Sequence, residues 1–216
     1  LASDDRDRRV GAADSILAHV EHAVTNQKGM NEEGNMVIDL DYALKRLIRG
    51  LSSSRDSARH GFATCLSALV SSGAVPLEVV MPMIENSTQL RGKMKGSEER
   101  DLIFGRLFAY LAVARSGALA DSPSAALDIF KRMLDLHSLK GWLREVTSEG
   151  LLVLLSVMNT DAAETEAALA ALEGAGMLRE PMEDWMAWQL QLALGLQSYA
   201  AGLKEAGGSA AKTLRS

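Results

Sequence analysis

The stretch SEERDLIFGRLFAYLAVAR, residues 97–115, contains the most hydrophobic helical pattern of this chain. Its apolar residues recur at intervals of three and four, the spacing that collects side chains on one face of a helix. The members of this face are Leu102, Ile103, Leu107, Tyr110 and Leu111. Glu98 and Glu99 stand at the start, where negative charge is favoured by the helix dipole. Gly117 follows at the position where a glycine commonly ends a helix. The stretch therefore predicts a buried amphipathic helix with defined ends.

The composition of the whole chain favours the same kind of structure. Of its 216 residues 47% are hydrophobic and 24% charged, and only four are proline. Alanine and leucine lose little conformational freedom in a helix, so helix is favoured over sheet. The single cysteine, Cys65, excludes an internal disulfide and a cysteine-based zinc cage, which fits a reducing compartment. The net charge of −5 argues against a surface built mainly for nucleic-acid phosphates.

Helical periodicity continues along nearly the whole chain and predicts about nine helices. The spacing of Ser53 and Asp56 predicts a capping box at the start of one of them. Pro123 is suited to the first turn of another helix, and Pro181 to the first turn of the last one. The strongly apolar stretch 142–158 is predicted to be a single helix near the centre of the core.

These features predict an all-α fold. Helix pairs that recur at roughly 30 to 45 residues favour an α-solenoid of the HEAT or armadillo type. No sequence repeat is visible, so an irregular helical bundle stays open as the alternative. We predict one helical-repeat domain over residues 1–206 and a flexible tail or linker over residues 207–216. The chain begins with charged helical sequence at Leu1 and has no apolar run of 18 residues. We therefore expect a fragment of a larger protein, without a signal peptide or membrane span.

A search for enzymatic motifs is negative. The sequence has no glycine-rich phosphate loop, no dinucleotide-binding fingerprint, no HExxH and no GxSxG. His19 and His22 are spaced to meet one metal ion, but a third ligand is missing nearby, so a solvated helix face is the favoured interpretation. Cys65 lies in an apolar pattern and is predicted to be a core residue rather than a nucleophile. We predict no catalytic residue, metal or cofactor.

Two groups of basic residues are the candidate binding sites. One spans residues 45–59, and the other lies in and around the loop 91–96, RGKMKG. The candidate contacts are Lys45, Arg46, Arg49, Arg55, Arg59, Lys93 and Lys95. In a helical-repeat protein such residues can form a ridge for nucleic acid or for an acidic partner. The alternative is that these arginines join helices within the fold, for instance through an ion pair of Arg55 with Asp56.

Large apolar side chains cluster at the start of the last predicted helix. They are Met182, Trp185, Met186 and Trp188. Such a cluster ordinarily belongs to the core. In a fragment of a solenoid it would instead be the surface on which the next repeat stacks. The remainder of a longer chain is therefore expected to pack on the C-terminal helix.

Two blocks of the sequence resemble one known family. The first is YALKRLIRGLSSSRDSARHGF at residues 42–62, and the second is EERDLIFGRLF at residues 98–108, followed by ARSG at 114–117. Both resemble the N-terminal signature of the Myb-binding protein 1A family, whose fungal members carry the name DNA polymerase V or phi. The similarity covers roughly residues 1–160 and weakens afterwards to a helical pattern.

The resemblance implies the N-terminal part of a large nucleolar helical-repeat protein. Its implied role is that of a non-enzymatic scaffold and co-regulator in ribosomal RNA gene transcription and ribosome biogenesis. The implied partners are nucleolar proteins or the pre-ribosomal particle, and ribosomal DNA or RNA as well if the basic ridge binds nucleic acid directly. A B-family polymerase would need paired metal-binding aspartates on a β-sheet, and the sequence predicts neither. Polymerase activity is therefore the remote alternative.

Overall fold

The computed structural model describes residues 1–27, 38–158, 162–179 and 181–205 of the chain. All regular elements in these ranges are helices, so the predicted all-α fold is confirmed for the part of the chain that is described. The solenoid arrangement and the single domain stay predictions. The predicted tail over residues 207–216 lies outside the described residues.

The chain divides into two compact units, Leu1–Ala118 and Leu119–Ser216. Among its described residues the first unit contains five helices: α1 (Arg6–Gln27), α2 (Ile38–Leu51), α3 (Asp56–Ser71), α4 (Leu77–Ser87) and α5 (Gly96–Arg115). The second contains four among its described residues: α6 (Pro123–Leu139), α7 (Arg144–Met158), α8 (Ala162–Gly174) and α9 (Ala187–Glu205). Single 3-10 turns at Gly141–Leu143 and Met182–Asp184 precede α7 and α9.

Helix α5 packs against α2, α3 and α4 in the first unit. Ile103, Leu107 and Tyr110 of its predicted apolar face are each at most 2% exposed. Gly105 allows α5 to approach the end of α2, since a Cβ atom at this position would lie 2.1 Å from Ser52 Oγ. The apolar face of the stretch 97–115 is therefore confirmed as part of the core of the first unit.

The predicted capping box at the start of α3 is wrong. Helix α3 begins at Asp56, its N-cap is Arg55, and no side chain caps it. The Ser53 hydroxyl instead accepts a hydrogen bond from the backbone N–H of Arg55 at 3.3 Å, which turns the chain ahead of the helix. Two other boundary predictions are confirmed: Pro123 occupies the first helical positions of α6, and Gly117 has a φ of +81° just after α5.

Two predicted helix starts in the second unit are wrong because 3-10 turns intervene. Lys140 is extended, with φ −146°, so that Trp142 lies in a 3-10 turn and α7 begins only at Arg144. Pro181 likewise precedes a 3-10 turn, and α9 begins at Ala187. Trp142 is 46% exposed, in contrast to the central position that the sequence predicts.

The core of the second unit is built on α7, which packs against α6, α8 and α9. Its fully buried members are Leu151, Leu154, Leu155 and Met158, and Phe130 and Met133 of α6 are buried with them. None of the described helices is long and apolar enough to cross a lipid bilayer.

Candidate functional site

The basic residues of α2 lie on its outer side. Lys45, Arg46 and Arg49 are exposed, whereas the apolar face of the same helix, with Leu44, Leu47 and Ile48, is buried. Lys45 Nζ lies 2.5 Å from Asp41 Oδ2 one turn earlier, and the lysine side chain of this ion pair is exposed. Arg46 and Arg49 make no ion pair with any described residue. The α2 surface thus offers two arginines three residues apart to a partner.

Arg55 is exposed but engaged. Its Nη2 lies 3.0 Å from Asp4 Oδ1, and the Ser57 hydroxyl donates a 2.6 Å hydrogen bond to the same oxygen. These two hydrogen bonds, led by that from Ser57, lower the pKa of the Asp4 carboxyl. The contacts tie the segment before α1 to the start of α3. Arg55 therefore pairs with Asp4 in this structure, not with Asp56 as the structural alternative supposed.

Arg59 does not belong to the exposed basic group that the sequence predicts, because its side chain lies inside the fold and is only 6% exposed. Its guanidinium donates to the Ser53 carbonyl oxygen at 2.5 Å and to the Asp56 carboxylate, and Asp101 Oδ1 lies 3.9 Å away. The guanidinium carbon also lies 4.6 Å from the centre of the Phe104 ring. Arg59 joins α3 to α5 and is not available to a phosphate.

Lys93 and Lys95 occupy the connection between α4 and α5, and both are exposed. Lys93 has a φ of +67°, a left-handed conformation that directs the chain towards α5. Arg106, which the sequence places beyond this group, is half-buried and donates to the Thr88 hydroxyl and carbonyl oxygens at 3.0 and 2.9 Å. Exposed basic side chains of the first unit therefore lie both on α2 and in the connection between α4 and α5.

The cluster predicted near the start of the last helix divides into an inner and an outer part. The Trp188 ring centre lies 4.7 Å from that of His137, and the Arg144 guanidinium lies 5.7 Å from the same indole. Met182 and Met186, in contrast, are 72% and 62% exposed. The tryptophan therefore packs within the second unit, and the two methionines face outward.

Sequence reasoning missed that this outer part continues along α9. Leu190 and Leu194 are 49% and 57% exposed, while Leu192 and Leu196 are buried on the opposite side of the helix. Met186, Leu190 and Leu194 follow each other at intervals of four residues and form what we name the α9 apolar face. The signal was present: residues 187–203 include no charged side chain. A helix without charges on its outer side is unusual for a solvated surface.

His137 is buried and neutral at the base of the tryptophan contact. Its Nδ1 lies 2.9 Å from the Thr147 hydroxyl, whose own hydrogen is directed to the Leu143 carbonyl oxygen at 2.8 Å. His137 Nδ1 must therefore be the donor in this pair. Burial, assisted by the positive charge of Arg144, lowers the pKa of His137 to about 4. Its surroundings make it a structural residue.

The groups that sequence analysis considered for chemistry are not arranged as an active site in the described part of the chain. Cys65 is fully buried, and burial raises the pKa of its thiol to about 11, so the reactive thiolate is suppressed. No three His, Cys, Asp or Glu side chains come together as a metal site among the described residues.

These observations define a class: an all-α protein with exposed basic groups on one unit and an uncovered apolar helix face on the other. Comparison with known proteins then identifies the family. The family model described as DNA polymerase phi matches residues 42–209, and the chain belongs to this family. The resemblance found in residues 42–62 and 98–108 is thereby confirmed, and the match extends well beyond residue 160.

The curated relatives carry regulatory or binding names. The chain is 33% identical over 151 residues to the rDNA transcriptional regulator pol5 of Schizosaccharomyces pombe, covering 68% of this chain and 14% of that protein. It is 27% identical to the Myb-binding protein 1A-like protein of Danio rerio, covering 94% of this chain and 15% of that protein. It is 28% identical to Myb-binding protein 1A of Homo sapiens, covering 72% of this chain and 11% of that protein. The chain thus spans only a small part of each relative's length. No solved structure matches it.

Proposed function

We propose that this chain is a non-enzymatic helical scaffold that supports transcription of ribosomal RNA genes in the nucleolus, and with it ribosome biogenesis. The family membership and the name of the yeast relatives as rDNA transcriptional regulators support the biological setting. The single structural observation that carries the scaffold role is the α9 apolar face. Uncovered leucines at this spacing suit the docking of another helix.

The partner that this face suits best is a further helix of the same, longer polypeptide. The curated relatives are about seven times as long as the region they share with this chain, so they have much additional chain to supply. A permanent interface is more apolar than a transient one. The absence of charge over residues 187–203 fits a permanent interface.

Transcription of ribosomal DNA after depletion of the protein tests the scaffold role. Run-on transcription should fall on depletion and recover when the full-length protein is expressed again. A variant with Leu190→Glu and Leu194→Glu places charge on the α9 apolar face and should fail to restore transcription. The matched control is Ser124→Glu with Ser138→Glu, which adds the same charge at two exposed positions of α6. Unchanged transcription after depletion would overturn the proposal.

Direct binding of nucleic acid is the second candidate function. It is favoured by Arg46 and Arg49, exposed on α2 without an ion-pair partner among the described residues, and by the exposed Lys93 and Lys95. Arg59 is left out because it is buried, and Arg55 and Lys45 would have to release Asp4 and Asp41 before they could bind phosphate.

A salt series distinguishes the two functions, because phosphate contacts make affinity fall steeply with ionic strength. Ribosomal DNA and RNA segments are titrated with the protein at increasing salt. Salt-sensitive binding that is lost in Arg46→Glu with Arg49→Glu would support direct binding. The control, Arg8→Glu with Lys131→Glu, makes the same charge change at exposed positions elsewhere. Absence of binding at low salt would leave the scaffold role alone.

A further inference from the structure

A groove of about 460 Å³ opens between α8 and α9 in the second unit. Helix α8 packs mainly against α6, whereas α9 packs against α7, and the space between the two helices is lined by α8, the turn after it and Leu196 of α9. One wall comes from the residues of α8 between Glu166 and Glu173, and the opposite wall from Leu196 of α9. The turn Gly176–Arg179 closes one end. No motif in the sequence pointed to this groove.

The floor of the groove is apolar. It is formed by Leu169, Leu172, Met177 and Leu196, each between 5% and 8% exposed. These side chains are covered on their inner sides by the core but open towards the groove. Displacement of water by aliphatic side chains from a partner would therefore be favourable.

The rim of the groove is mainly acidic. Glu166 and Glu173 are both exposed and lie two helical turns apart, about 10 Å along one side of α8. Helix α8 carries a third acidic residue, Glu164, and no basic one. The one basic side chain of the lining, Arg179, is folded over Gly176, where an added Cβ would lie 3.0 Å from its Cδ and Nε atoms. The carboxylates thus flank the apolar floor, and the arginine lies at its end.

Hydrogen bonds hold the groove open in a defined shape. Gln189 Nε2 of α9 donates to the Met177 carbonyl oxygen at 3.0 Å, which fixes the turn to the start of α9. The backbone N–H of Gly176 donates to the Glu173 carbonyl oxygen at 2.9 Å, and Gly176 has a φ of +66°. At the other end, the Thr165 hydroxyl donates to the Met158 carbonyl oxygen at 2.9 Å and ties α8 to the end of α7. A preformed site of this kind binds with a small ordering cost.

We propose that this groove is a docking site for a basic amphipathic helix of another protein. Aliphatic side chains at i, i+3 or i+4, and i+7 of such a helix would fill the apolar floor. Its lysines or arginines would pair with Glu166 and Glu173, which are spaced by the same seven residues. Nucleic acid is disfavoured as the occupant, because the two glutamates would repel its phosphates. The proposal concerns a different surface from the α9 apolar face and is independent of the function proposed above.

The test uses synthetic helical peptides as probes. One peptide carries leucines on one face and lysines on the other, and its counterpart carries the same leucines with glutamates in place of the lysines. We expect saturable binding of the lysine peptide by fluorescence anisotropy, weakened by salt, and no measurable binding of the glutamate peptide. Binding of both peptides alike, or of neither at concentrations up to about 1 mM, would overturn the proposal.

Two variant pairs separate groove binding from general attraction to an acidic protein. Glu166→Lys with Glu173→Lys should lower the affinity for the lysine peptide by about tenfold or more. Asp121→Lys with Asp135→Lys makes the same charge change at exposed sites and should lower this affinity by less than about threefold. Ala170 lines the groove and is exposed, so Ala170→Trp should block binding and Ala170→Ser should not. Equal effects within each pair would show that the peptide binds elsewhere. Circular dichroism of each variant confirms that the helices are intact.

Discussion

The guanidinium carbon of Arg59 lies 4.6 Å from the centre of the Phe104 ring, and this contact joins α3 to α5. The ring covers one side of a cation whose side chain is 6% exposed, and Ser53, Asp56 and Asp101 surround its edge. A buried arginine in this position stabilises the fold through the groups that would lose their partner without it.

Replacement of Arg59 by alanine should therefore lower the stability of the first unit. The expected loss is about 3 kcal/mol, since Asp101 would keep a half-buried carboxylate without its cation and the Ser53 carbonyl would lose a donor. Urea unfolding followed by circular dichroism measures the change. Arg46→Ala, at an exposed position of α2, should change the free energy of unfolding by less than about 0.5 kcal/mol. Equal small effects would show that Arg59 is not a structural residue.

The close approach of α5 to the end of α2 makes a second prediction. Gly105→Ala should destabilise the protein by about 1–3 kcal/mol, because the new Cβ would overlap Ser52 Oγ, and this exceeds the gain in helix propensity. Ser52→Ala removes that oxygen and should recover part of the loss in the double variant. Full recovery is not expected, since the Ser52 backbone nitrogen would still lie 3.1 Å from the new atom. Urea unfolding of the two single variants and the double variant gives the coupling energy between positions 52 and 105. If the two losses of stability simply add, the overlap of the new Cβ with Ser52 Oγ is contradicted.

The buried His137 makes stability depend on pH. Its pKa is lowered in the folded protein from an ordinary value of 6.5 to about 4, so the unfolded chain binds a proton more readily than the folded one. Stability should therefore be complete above pH 6.5 and fall as the pH drops towards 4. Between pH 7.5 and 5 the loss should be about 2 kcal/mol. His137→Gln, which retains a donor for Thr147, should show a flatter profile over this range. An unchanged slope in the variant would exclude His137 as its origin.

Periodicity and end signals predicted most of the helical architecture, because both depend on local sequence. Gly117 and Pro123 mark helix ends through their own backbone preferences, and the structure agrees. Ser53 and Pro181 failed as starts for a physical reason. The Ser53 hydroxyl accepts a hydrogen bond from the backbone N–H of Arg55, and a 3-10 turn follows Pro181, so competing local turns set those boundaries.

The candidate binding residues were harder to predict than the helices. Arg46 and Arg59 both occur in basic, helical sequence, and spacing alone does not distinguish an exposed arginine from one that is covered by Phe104. Burial of a cation depends on residues that are distant in sequence, here Asp101 and Phe104 from α5. The groove between α8 and α9 likewise depends on which helices pack together, so it cannot be predicted from a local sequence pattern.

Two leucine substitutions compare the buried and the exposed helix faces directly. Leu107 is 1% exposed in α5, so Leu107→Ala should cost about 2–5 kcal/mol through lost burial and the cavity that remains. Leu194 is 57% exposed on the α9 apolar face, and Leu194→Ala removes the same atoms, yet it should change stability by less than about 0.5 kcal/mol. Urea unfolding of both variants of the 216-residue chain, which lacks the further helix proposed above, makes the comparison. A large loss for Leu194→Ala would mean that residues 1–216 themselves cover this face. The docking of a further helix there would then be contradicted, because the leucine would already have its partner.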